Sequence, residues 1–154
     1  MSKWFFINFA VLLFALWKIT TGHIGIHIIF GGLGLMLILY NWTRHAVFST
    51  IRSNISRNRK IKYATISKKL LPLHKYTGTT ALLLTLIHAT LVVYYFGWQG
   101  TNMKMITGLL TVIILTLVVI VGWMRFIRTT YKRRMTHLIL GFCLFGSVLL
   151  HLIF

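Results

Sequence analysis

Four histidines form two pairs at one interval: fourteen positions separate His74 from His88, and fourteen separate His137 from His151. Each pair lies in an apolar run, and a glycine follows the first histidine by four places, Gly78 and Gly141. On a helix that interval returns to nearly the same face after about 21 Å of rise. Imidazole is a common metal ligand, and two rings on one helix matched by two on another can hold two irons in separate layers. The spacing predicts two stacked, bis-histidine b-type haems, one on His74 and His137 and one on His88 and His151. Zinc and copper sites gather their ligands within a few ångströms and fit two distant layers poorly. Carboxylate-bound iron or manganese is excluded, because the chain contains no Asp or Glu. Gly78 and Gly141 are expected to let a flat macrocycle approach the backbone. One intramembrane histidine alone would read as a polar packing group; the repeated interval and glycine offset favour coordination.

Those helices must be membrane spans. Of the 154 residues 57% are hydrophobic, and all 17 charged residues are Lys or Arg, collected in blocks between apolar runs. No ordinary soluble domain of this size has that composition. Five apolar stretches are predicted as helices, at about 4–20, 22–42, 70–98, 103–124 and 135–154, in a single all-α transmembrane haem-binding domain, residues 1–154, with the haems between the third and fifth spans. The first stretch is either a cleaved signal or a retained span; no small-x-small cleavage site precedes Lys18, which favours the span. Pro72 suits the first turn of the third helix, and Gly97 to Asn102 reads as a tight loop. A basic linker, 43–69, is expected either as a solvated loop or in part as an amphipathic helix on anionic lipid. Without a nucleic-acid-binding motif, the basic blocks report topology and not nucleic acid. The lone Cys143 excludes an internal disulfide and reads as a packing residue, and no Cys-x-x-Cys-His motif exists, so the haems would be non-covalent.

Lys and Arg concentrate in the 43–69 linker and between the fourth and fifth spans, which places those loops and the amino terminus on the cytoplasmic side. The third and fifth spans then run parallel, and like levels of the two histidine pairs meet. Haem propionates need cations. Lys75, Arg125 and Arg128 are candidates on the basic side, and Lys104 or Lys18 on the other. A third, incomplete copy of the motif is present: His27 is followed by Gly31, and the position fourteen after His27 is Asn41. Asn is a poor iron ligand, so His27 reads as packing, as a hydrogen-bond donor to a bound group or as a substitute ligand. His23 carries a weaker version of the same reading, and His45 reads as interfacial.

From Leu70 to Phe154 the chain resembles the ferric-reductase-like transmembrane family and di-haem cytochromes b. The resemblance rests on Leu71-Pro-Leu-His74-Lys-Tyr-Thr-Gly78 with His88, on Thr107-Gly-Leu-Leu opening the next span, and on Tyr131-Lys-Arg-Arg before His137. It implies two b haems ligated by His74, His88, His137 and His151, with electrons crossing the bilayer through them. The chain ends three residues past His151, so a sixth helix and the flavin and nicotinamide domains of those reductases are not expected here. With no glycine-rich nucleotide fingerprint, electrons must come from a redox partner subunit, a soluble donor on the basic side, or quinol in the lipid. Three readings follow: an electron-relay subunit of an oxidoreductase, not catalytic alone; a quinone-reactive haem anchor of a larger respiratory or dehydrogenase complex; and a non-redox membrane assembly subunit. The expected location is a prokaryotic inner or plasma membrane or an organelle membrane.

Overall fold

The computed structural model describes residues 3–22 and 25–154. Six helices account for nearly all of them: α1 (Lys3–Thr21), α2 (Ile26–Arg52), α3 (Arg57–Lys69), α4 (Leu71–Phe96), α5 (Met103–Ile127) and α6 (Tyr131–Ile153), with no strand among the described residues. All except α3 are long and apolar enough to cross a membrane. Mid-span residues such as Leu83, Ile113 and Ile120 are about half exposed. Water would penalise such a surface and lipid does not. The chain is an all-α, multi-pass membrane bundle.

The helix ends follow local chemistry. Pro72 sits in the first turn of α4, where no N–H is needed, and Gly97 ends that helix at φ 70°, in the region that favours glycine. Asn102 caps α5 by accepting from the backbone N–H groups of Lys104 and Met105, and Thr130 caps α6 by accepting from Arg133. The 43–69 linker, expected as a solvated loop or in part as an amphipathic helix, is mostly helical. Residues 43–52 continue α2, and Arg57–Lys69 form α3. No glycine or proline occurs between Gly34 and Pro72, so nothing interrupts the helix until the short polar run around Ser53 and Asn54. At 27 residues α2 is about 40 Å long, some 10 Å more than the hydrocarbon core, and the excess is enough to carry its last turns, ending at Arg52, beyond a span. Ile61 and Ile66 of α3 are exposed beside its cations.

Four helices form the centre. α4 packs on α2 and α5, and α6 on α5, while α2 reaches α6 through side chains: Trp42 stacks on Phe145 with centroids 4.7 Å apart. α4 and α6 therefore face each other across the bundle. At its waist Ile38, Ala81, Leu115, Leu144 and Val148 are buried together. Ala81 lies midway between His74 and His88, and Leu144 midway between His137 and His151. At the same level Gly34 lets α2 close on α4, because a Cβ there would meet Thr85 Oγ1 at 3.0 Å. α1 lies outside this square, fastened by Asn8 Nδ2 donating to the Leu39 carbonyl and by Lys18 Nζ donating to the Ile153 carbonyl at the end of α6. Cys143, read as a packing residue, is exposed on α6.

Candidate functional site: two facing histidine pairs

α4 and α6 bring the four histidines together in two pairs. The ring centroids of His74 and His137 are 6.2 Å apart with planes at 81°, and those of His88 and His151 are 6.4 Å apart at 76°. An imidazole nitrogen lies about 1.2 Å from its ring centre and an iron–nitrogen bond is about 2 Å, so two rings on opposite sides of one metal have centroids about 6.4 Å apart. Edge-to-face packing of two rings occupies the same range, so separation alone does not select coordination.

Ring orientation adds a second constraint. All four Nδ1 atoms are bonded to an oxygen acceptor on a flanking helix. His74 Nδ1 meets Asn41 Oδ1 at 2.8 Å, and His88 Nδ1 meets the His27 carbonyl at 2.6 Å, both acceptors on α2. His137 Nδ1 meets the Val118 carbonyl at 3.1 Å, and His151 Nδ1 meets the Lys104 carbonyl at 3.0 Å, both on α5. An oxygen without a proton of its own requires Nδ1 to donate, which leaves Nε2 as the lone-pair nitrogen in each ring. Among the described residues no hydrogen bond engages any of those Nε2 atoms. Metal-bound histidines are fixed in this way, with the second nitrogen donating to a carbonyl or side-chain oxygen.

The acceptors repeat the interval of the ligands. His27 and Asn41 are fourteen apart on α2, and Lys104 and Val118 are fourteen apart on α5. Three of the four acceptors are backbone carbonyls, each followed four residues later by a glycine that faces the ring. A Cβ on Gly31 would stand 2.9 Å from His88 Nδ1, one on Gly108 would stand 3.0 Å from His151 Cε1, and one on Gly122 would stand 3.2 Å from His137 Cε1. Without a side chain at that place, the imidazole reaches the helix backbone and bonds a carbonyl that already serves its own helix. The fourth position departs from the pattern. His45 follows Asn41 by four, and the Asn41 side chain, which also accepts from Thr77 Oγ1 at 2.8 Å, replaces the carbonyl.

The glycines singled out by sequence lie elsewhere. A Cβ on Gly78 would be 3.8 Å from Asn41 Nδ2 and one on Gly141 would be 3.6 Å from Trp42, both ordinary contacts. His27 contributes its carbonyl to His88, and its ring stacks on the His88 ring at 6.3 Å. His45 packs in an aromatic cluster with Trp4, Trp42 and Phe142. His23 lies outside the described residues. Among the cations, the Lys75 ammonium sits 4.9, 4.4 and 4.1 Å from the Tyr76, Trp123 and Phe126 ring centres, an aromatic enclosure that joins α4 to α5. Arg128 ends α5, where its carbonyl and that of Met124 accept from Arg133. Lys18 is committed to the end of α6 and Lys104 lends its carbonyl to His151. Sequence reasoning had Gly31 only within the incomplete motif and Gly108 only within Thr107-Gly-Leu-Leu, and it passed over Gly122, Val118 and Arg44. The fourteen-residue interval from Gly108 to Gly122 was the available signal for two of them; a backbone acceptor has no residue-type signature.

Among the described residues no three His, Cys, Asp or Glu gather as a metal cluster of the zinc type. The residues are compatible with a metal-centred macrocycle: two free imidazole nitrogens per level, each ring held through its Nδ1 by a flanking helix. Comparison of the chain with protein-family models, with curated proteins and with solved structures finds no match.

Proposed function

We propose that this protein is a b-type cytochrome membrane subunit that relays electrons across the bilayer through two bis-histidine haems, one held by His74 and His137 and the other by His88 and His151. The observation that carries the proposal is the fourfold arrangement of Nδ1 donors, which leaves two Nε2 lone pairs at each of two levels. Bound haem would supply one-electron chemistry, and His74 with His137 and His88 with His151 would hold it, leaving no position for oxygen or substrate. The chain's part is to bind and orient. α2 and α5 hold the rings, the waist layer around Ala81 and Leu144 excludes water between the levels, and the apolar outer faces keep the whole path in lipid.

The ferric-reductase-like and di-haem cytochrome b families provide the analogy for this reading, and a redox partner on the basic side provides its donor. One observation favours the quinone-reactive variant. Beside His74, a cavity of about 70 Å³ between α2, α3 and α4 is bordered by Tyr40, Arg44, Tyr63 and Ser67, donors suited to a quinone carbonyl, with room for the carbonyl edge and not for the whole ring. Pyridine haemochrome analysis of protein purified from its host membrane tests the main proposal, with about two protohaems per chain expected. Haem-free protein from haem-replete cells would remove it. Reduction by a quinol analogue separates the variant from the partner-driven relay.

A further inference from the structure

Of the four groups that hold the histidines, one can turn round. The His27, Val118 and Lys104 carbonyls offer only oxygen. The Asn41 amide offers oxygen on one edge and N–H groups on the other, and the two edges have nearly the same shape. With the oxygen toward His74, Nδ1 keeps the proton and Nε2 keeps its lone pair. With the nitrogen toward His74, Nδ1 must accept, the proton moves to Nε2, and the inner level loses one of its two free nitrogens. The ring is neutral in both arrangements. Whatever decides the amide edge therefore decides whether His74 can serve as a ligand.

Thr77 is placed to decide it. It follows His74 by three residues on α4, so both side chains reach α2 from the same face. Its Oγ1 lies 2.8 Å from the same Asn41 Oδ1 that His74 Nδ1 meets at 2.8 Å. An amide oxygen accepts two hydrogen bonds, and both donors stand on α4. Other threonines of the spans direct the hydroxyl proton to the carbonyl four residues back, as Thr79, Thr85 and Thr90 do. The Leu73 carbonyl offers Thr77 the same bond, also at 2.8 Å, and one proton cannot serve both acceptors. Given to Leu73, the proton would leave only a lone pair facing α2, which suits the nitrogen edge of the amide. Given to Asn41, it suits the oxygen edge, the one the structure places there.

We infer that Thr77 is a positioning residue of the inner level: its hydroxyl, donating to Asn41 Oδ1, holds the amide oxygen-first and so keeps His74 in the tautomer with a free Nε2. The inference rests on the proposed function and deepens it, because it makes one of the four candidate ligands conditional on a side chain that is not itself a ligand. His88 and His151 of the outer level, both held by backbone carbonyls, have no such dependence.

Nitrogen-15 shifts of imidazole tell a protonated ring nitrogen from a bare one, and they read the tautomer without haem. The full chain, labelled at histidine and held in zwitterionic nanodiscs above the imidazole titration range, should carry the His74 proton on Nδ1, the His74 signals being those missing from His74→Ala. Thr77→Val keeps the shape and removes the hydroxyl; it should move part of the His74 population to Nε2–H. Protohaem titration should then show inner-level affinity lowered about two- to tenfold, with the outer spectral component unchanged. Thr77→Ser should match the unsubstituted chain in both readouts. Adding Asn41→Asp to Thr77→Val should restore both as well, since a carboxylate presents oxygen at either edge. A His74 proton on Nε2 in the unsubstituted chain would overturn the inference, as would a Thr77→Val chain that keeps it on Nδ1 or a loss that Asn41→Asp does not recover. The expected tautomers in a chain that binds no haem would leave the assignment of Thr77 standing and remove the haem proposal.

Discussion

Replacing Gly31 with alanine sets a gain in helix stability against a loss at the ring it faces. In a helix interior alanine is favoured over glycine by about 0.5–1 kcal/mol, so the change should stabilise α2 as an isolated element. The new methyl would stand 2.9 Å from Nδ1, 3.0 Å from Cε1 and 3.3 Å from Cγ of His88, the first shorter than side-chain contacts sustain and the others tight enough that the ring must give way. The ring cannot yield without leaving the His27 carbonyl, to which it is bonded at 2.6 Å. Overpacking costs about 1–3 kcal/mol and a lost hydrogen bond about 0.5–1.5 kcal/mol, so the sum exceeds the helix gain by roughly 1–3 kcal/mol. Outer-level haem affinity should fall about ten- to a hundredfold, the range expected when a metal-bound histidine loses its orienting partner. Gly108→Ala acts on His151, the other half of the same level, and should remove the same spectral component; Gly122→Ala, with its contact at 3.2 Å, should act more mildly and on the inner component. Gly146 has nothing within 4 Å of its would-be Cβ and serves as the control. Haem-to-protein ratios and redox titration of the four variants provide the readout. Equal losses for Gly31→Ala and Gly146→Ala, or loss of the inner component in Gly108→Ala, would refute the reasoning.

Asn41→Leu removes the acceptor of both His74 and Thr77; it should weaken inner-level haem roughly ten- to a hundredfold while leaving the outer level intact, as spectral titration will show. Asn41→Asp keeps the acceptor and adds negative charge, so redox titration should find the inner potential lowered and the outer one little changed. Alanine at His74 or at His137 should abolish one low-temperature spectral component, and alanine at His88 or His151 the other; loss of the same component from His74→Ala and His88→Ala would contradict the facing pairs. Electron delivery from an acidic soluble partner should slow as ionic strength rises past about 0.1 M, and a rate indifferent to salt in stopped-flow measurements would point to quinol in the lipid.

The legible and illegible parts of this molecule divide on physical grounds. Apolar runs of about twenty residues and blocks of Lys and Arg gave the spans, because lipid imposes both patterns directly on the sequence. The facing of His74 with His137 and of His88 with His151 could be anticipated from parallel helices with one common interval. The extension of α2 to Arg52 could not, since the end of the apolar run at Trp42 was read as the end of the helix where only the absence of glycine and proline mattered. The incomplete motif on α2 proves informative in a different sense. Antiparallel to α4 and with the same fourteen-residue interval, it sets His27 level with His88 and Asn41 level with His74, and both serve as acceptors. α5 does the same for α6 with Lys104 and Val118, two positions at which residue type is irrelevant because the backbone carries the acceptor. What remains readable at such a position is the glycine four residues later. The interval that marks the histidines on α4 and α6 therefore recurs on α5 as Gly108 and Gly122, and a search for ligands alone passes over the residues that orient them.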